Sequence, residues 1–157
     1  MQRIHIQKYI TVSALFVLAL FLALANAAPA LALFGDGFQE VEAVDGVVSI
    51  DVDEVNDGDI HYYTYTAEGR EIRFFVIQSS DGVIRAAFDA CDVCYESRKG
   101  YSADGEFVIC NNCGRRFHSS RINVVEGGCN PAPLNRVTED GQLRIQVSDI
   151  LQGARFF

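Results

Sequence analysis

Four of the five cysteines stand in two identical pairs, Cys91/Cys94 and Cys110/Cys113, within the stretch CDVCYESRKGYSADGEFVICNNCG. Each pair is Cys-x-x-Cys, and fifteen residues separate Cys94 from Cys110. Two thiolates three positions apart face one metal ion when the turn between them curls round, and two such turns complete a four-sulfur tetrahedron. The spacing lies at the short edge of the zinc-ribbon and rubredoxin-like range. Gly100, Gly105 and Gly114 stand where tight turns beside the two knuckles need them. A disulfide or a redox dithiol is the alternative use of such pairs. The helical context of a thioredoxin-type dithiol is missing, because Cys91 follows a strand-like segment. Haem attachment is disfavoured, since Tyr95 and Gly114 occupy the positions where a c-type motif carries His.

Cys129 lies in GGCNPAPL. Gly127 and Gly128 permit close backbone approach and Pro131 and Pro133 stiffen the exit, so a fifth thiol could reach the site; the alternative is a small residue packed in a turn. His118 follows five residues after Cys113 and reads better as a loop histidine than as a ligand. Arg98, Lys99, Arg115, Arg116 and Arg121 surround the knuckles and would offset thiolate charge. His61, Tyr62, Tyr63 and Tyr65 read as strand packing rather than as a site.

The elements that must position these groups are mainly strands. VVSIDV (47–52), IHYYTYT (60–66), EIRFFVIQS (71–79), VIRAAF (83–88), EFVIC (106–110) and LRIQV (143–147) are rich in β-branched and aromatic residues. The turns Ala67-Glu68-Gly69, Ser80-Asp81-Gly82 and Asp140-Gly141 separate them at hairpin spacing. The expected fold is mostly β: a small antiparallel sandwich or barrel with the double knuckle (91–113) at its tip and the GGCNP loop (127–134) nearby. One short helix is expected near 148–152, capped by Ser148.

Residues 1–34 differ from the rest. Arg3, His5 and Lys8 precede an uncharged run from Tyr9 to Phe34, and Ala25-Asn26-Ala27 fits a small-x-small cleavage site. As a cleaved signal or as a retained apolar helix that anchors the chain in the membrane, this segment is expected to place residues 35–157 outside the cytoplasm; a buried soluble helix is the alternative. The formal net charge is −8; with Arg3 and Lys8 assigned to the leader, the exported part carries −10, and residues 35–69 hold ten acids and no Lys or Arg. Such a surface is a poor match for nucleic acid.

The motifs DGVIRAAFDACDVCY, KGY, ICNNCGRRF, IN and GGCNPAPL, in that order between Asp81 and Leu134, resemble the FtrD-like membrane iron–sulfur protein family. The resemblance implies a bacterial envelope protein tied to iron transport and carrying a metal or iron–sulfur centre. A weaker likeness is to Rieske domains: Cys110-Asn-Asn-Cys113-Gly114-Arg-Arg-Phe117 keeps the frame of the second Rieske box with Cys113 in place of His, whereas the first box departs from the pattern. The expected ligands are therefore Cys91, Cys94, Cys110 and Cys113, with Cys129 as a provisional fifth. The expected cofactor is iron or an iron–sulfur centre, with zinc or copper as alternatives. The expected partner is an envelope iron-transport or redox protein. The competing roles are a thiol–disulfide protein and a structural zinc domain.

Overall fold

The computed structural model describes residues 37–157. The apolar leader lies outside the described residues, and so does the helix expected there. Among the described residues no helix is long and apolar enough to cross a membrane.

The architecture is mostly β and nearly all antiparallel. The main sheet runs in the order β1 (Gln39–Glu40), β3 (Ile60–Ala67), β4 (Arg70–Gln78), β5 (Ile84–Phe88). Only β1 pairs parallel, placing Gln39 opposite Tyr63. A second sheet joins β2 (Val47–Asp51), β10 (Gln142–Gln146) and β9 (Val137–Glu139). A third joins β6 (Tyr101–Asp104), β7 (Phe107–Cys110) and β8 (Arg116–His118). The hairpins at Glu68–Gly69 and Asp140–Gly141 have positive φ at both residues, as the tight two-residue turn between twisted strands demands.

Strand alternation explains why three sheets form instead of the single sandwich or barrel expected from the sequence. Along β4, Ile72, Phe74 and Val76 enter one apolar cluster with Val48, Ile50, Leu143 and Ile145 of the second sheet. Phe75 and Ile77 enter another with Tyr101, Val108 and Cys110 of the third. The main sheet is thus buried on both faces, which is why β4 reads as the continuous apolar run FFVI rather than as an alternating one. The larger cluster contains no cysteine, whereas the smaller contains Cys91, Cys110 and Cys129.

The helix α1 (Val147–Gln152) begins directly after β10, with Gln146 at its N-cap and no side-chain capping bond. Ser148 therefore sits inside the first turn and is not the cap. Gly153, which follows, packs against the Phe88 ring, where a Cβ would lie 2.1 Å from Cε1.

Candidate metal centre

The first knuckle leaves the end of β5. Asp89 N donates to Arg73 O (3.0 Å), Tyr95 N donates to Cys91 O (3.2 Å), and Cys94 N donates to Cys91 Sγ (3.3 Å). The second knuckle turns β7 into β8. Gly114 N donates to Cys110 O (2.8 Å), Cys110 N to Arg115 O (2.9 Å), and the N–H groups of Asn112 and Cys113 are directed at the Cys110 sulfur. The two turns are built alike: the first sulfur of each accepts an N–H from the second cysteine of its pair. Such donors favour the thiolate and hold it at a fixed angle.

The GGCNP loop returns alongside β5. Phe88 N donates to Ala132 O (2.8 Å), Ala132 N to Ala90 O (2.9 Å) and Leu134 N to Ala86 O (3.3 Å). Asn123 ties this loop to the sheet, accepting from Ala86 N (3.2 Å) and donating to Leu134 O (3.4 Å). Cys129 is carried to the first knuckle in this way, with its Sγ 3.9 Å from that of Cys94.

Tyr101 holds the three loops in register. Its N–H donates to Asp89 Oδ1 (2.7 Å), its hydroxyl donates to Cys129 O (2.8 Å), and its carbonyl accepts from the Tyr62 hydroxyl (3.0 Å). Gly100 makes this approach possible: it has φ +61°, and a Cβ there would lie 2.0 Å from Asp89 Oδ2. Asp89, Gly100, Tyr101 and Asn123 all lie inside the motifs DGVIRAAFDACDVCY, KGY and IN, but the sequence marks them only as part of the family resemblance and, the Gly100 turn apart, gives them no role at the site.

All five thiols are free. Their sulfurs fall into two groups of three, Cys91/Cys94/Cys110 and Cys94/Cys113/Cys129, each with every Sγ within 4.8 Å of the others. The donor set fits a soft or borderline metal: thiolates around one tetrahedral ion of zinc size stand about 3.8 Å apart, close to the 3.9 Å between Cys94 and Cys129. Cys91, Cys110 and Cys129 are buried, Cys94 is half-buried and Cys113 is exposed. Burial pushes the Cys110 and Cys129 thiols up. The Arg115 backbone N–H draws Cys113 down to about 7. It is this backbone donor, rather than the arginine side chains expected from the sequence, that leads at Cys113. Arg116 is engaged elsewhere, with Asp104 (2.8 Å) and over the Phe107 ring. Burial raises Asp89 to about 7 against the pull of the Tyr101 N–H and Arg73, and raises Tyr101 as well. A cavity of about 460 Å³ opens beside the first knuckle, with Cys91, Cys94 and Cys110 in its wall together with Asp89, Arg98 and Phe156.

Neither histidine of interest joins the sulfurs. His118 ends β8, where its Nδ1 accepts from Ser120 N (3.3 Å) and Nε2 lies 3.7 Å from Glu106. His61 is paired with Asp57 (2.8 Å). Tyr63 packs in the larger cluster and Tyr62 against the smaller.

None of the curated proteins matches the chain. Among solved structures, the crystal structure of the quaternary ammonium Rieske monooxygenase CntA in complex with an inhibitor is similar at 17% identity and a TM-score of 0.41. That match covers 63% of this chain and 30% of the other, so the chain spans less than a third of that protein's length. The model of a family described as "Membrane iron-sulfur containing protein FtrD-like" matches residues 55–157, which include both knuckles and the GGCNP loop. The chain therefore belongs to the FtrD-like family of membrane iron–sulfur proteins.

Proposed function

We propose that this chain is a cell-envelope module that holds iron, or an iron–sulfur centre, and moves electrons or metal for an iron-transport system. One observation carries the reading: five thiols from three separate loops meet in one place, and N–H groups are aimed at the first sulfur of each knuckle. Membership of a membrane iron–sulfur family supplies the link to iron.

Cys91, Cys94, Cys110 and Cys113 hold the metal, with Cys129 as the additional thiol. Thiolate-bound iron supplies a one-electron couple, at lower potential than a site with histidine ligands. The chain's own groups hold the sulfurs at fixed positions and stabilise their charge. Cys94 N–H serves Cys91, the second-knuckle N–H groups serve Cys110, and the Tyr101 hydroxyl fixes the GGCNP loop by donating to the Cys129 carbonyl. The basic-then-apolar leader puts the domain on the outer face of the cytoplasmic membrane, where an iron-transport or redox protein is its partner.

The test is metal and sulfide analysis of the full chain purified without oxygen, with a visible spectrum before and after reduction. The expected result is bound iron with thiolate-to-iron absorption that bleaches on reduction and is lost in Cys110→Ser. A colourless zinc protein would favour the structural role. A metal-free protein with disulfide-exchange activity abolished by alkylation would favour the thiol–disulfide role.

A further inference from the structure

The five sulfurs do not surround one point. Cys91, Cys94 and Cys110 form one close group and Cys94, Cys113 and Cys129 another, and Cys94 belongs to both. One tetrahedral ion accepts four thiolates and leaves a fifth without a use. Charge gives an independent argument. A metal-bound thiol is deprotonated, so with all five engaged one divalent ion leaves three negative charges uncompensated (five less two), whereas two leave only one (five less four). A thiolate sulfur also has lone pairs enough to bind two ions, and soft d-block metals accept such sharing.

We propose that the cluster is a two-metal site in which the Cys94 sulfur bridges an inner position, completed by Cys91 and Cys110, and an outer position, completed by Cys113 and Cys129. The inference rests on the reading that these thiols bind metal, and it adds the number of ions and the shared ligand. The two positions are unlike. Cys91 and Cys110 are each 1% exposed and sit in the smaller apolar cluster. Cys113 is exposed at the knuckle turn. The inner position is reached through the cavity beside the first knuckle, which Cys91, Cys94 and Cys110 line, whereas the outer one meets solvent at the exposed Cys113 turn. Each ion has three protein sulfurs, which leaves a coordination place for a further donor on ions that take four ligands.

The experiment uses the full chain, stripped of metal under reducing, oxygen-free conditions and titrated with cadmium alone. Native mass spectrometry counts the ions, and cadmium NMR correlates each ion with cysteine β-protons. Two ions per chain are expected, with the Cys94 β-protons coupled to both. Cys113→Ser and Cys129→Ser should each retain one ion tightly, with the Cys91 and Cys110 correlations preserved. Because the decisive correlations are read on the unaltered chain, a variant that fails to fold does not obscure the outcome. Saturation at one ion, or two ions with no cysteine in common, overturns the bridged site while leaving metal binding intact. A folded chain that takes up no cadmium overturns both the bridged site and the metal-binding reading beneath it.

Discussion

Cys113 is chemically apart from the other four thiols. It alone is exposed, and the Arg115 N–H lowers its thiol to about 7, whereas burial raises Cys110 and Cys129. Thiolate is the reactive form. In metal-free, reduced protein, iodoacetamide near neutral pH should therefore label Cys113 first, as read by peptide mass spectrometry. Its rate should fall by about tenfold per pH unit below that point, as the thiolate fraction falls. Labelling of Cys91 or Cys129 ahead of Cys113 would contradict this order. The cysteine spacing made the two knuckles legible in the sequence, because each is a local turn. The contacts of the supporting residues were not legible, although the residues themselves lie in the quoted motifs. Asp89 and Gly100 meet across eleven positions, and Tyr101 reaches Cys129 across 28. No local pattern encodes such meetings, and Gly100 read as a turn glycine within KGY with no sign of its approach to Asp89.

At the scale of elements, the β4–β5 hairpin depends on a charged latch. The Arg85 guanidinium is almost fully buried and donates to both carboxylate oxygens of Asp81 (2.8 Å each) and to Ser79 Oγ (2.6 Å). The Arg85 hydrogen bond holds Asp81 down at about 2, with the Val83 N–H adding to it. A depressed carboxyl stabilises the fold above its unfolded value near 3.8, and that contribution is lost as pH falls through about 2. Asp81→Asn should therefore lower Tm at pH 7 by roughly a few degrees, and the gap to the parent protein should close near pH 2. A constant gap across that range would mean that charge is not the cause. The long strands were legible because they are rich in β-branched and aromatic residues. The three-residue strands β8 and β9 and the four-residue β6 were not, since ladder pairing with a neighbour, rather than composition, makes them strands. The two-sided burial of the main sheet was also hidden, because an apolar run names a buried strand without naming its neighbours.

For the whole molecule, the division of the core sets what metal can and cannot control. The larger cluster joins the main and second sheets and contains no cysteine. The smaller one joins the main and third sheets and holds Cys91, Cys110 and Cys129. Bound metal would link the exit of β5, the β7–β8 turn and the GGCNP loop. Chelation should thus lower Tm and loosen residues 91–130, while far-UV circular dichroism keeps its β signature. Small zinc domains behave otherwise, since they unfold without metal. Global unfolding on chelation would show that the cysteine-free core cannot stand alone. The mostly β class was legible because hairpin signals are local. The three-sheet arrangement was not, since it depends on which face of β4 meets which partner.

The path of the GGCNP loop has a consequence for solubility. β5 lies at the border of the main sheet, and all five of its residues are buried. Residues 132–134 bond along this border to Ala86 O and Phe88 N and, just past the strand, to Ala90 O, while Asn123 takes the Ala86 N–H and Arg136 the Ile84 carbonyl. Pro131 and Pro133 have no N–H to offer a further chain, so the segment also ends the ladder. The loop that brings the fifth thiol to the cluster is thus also the cover over the apolar border of the main sheet. A chain nicked or displaced there loses its fifth thiol and exposes an apolar border that recruits other copies into intermolecular sheets. Damage to the site and aggregation are in this way one event.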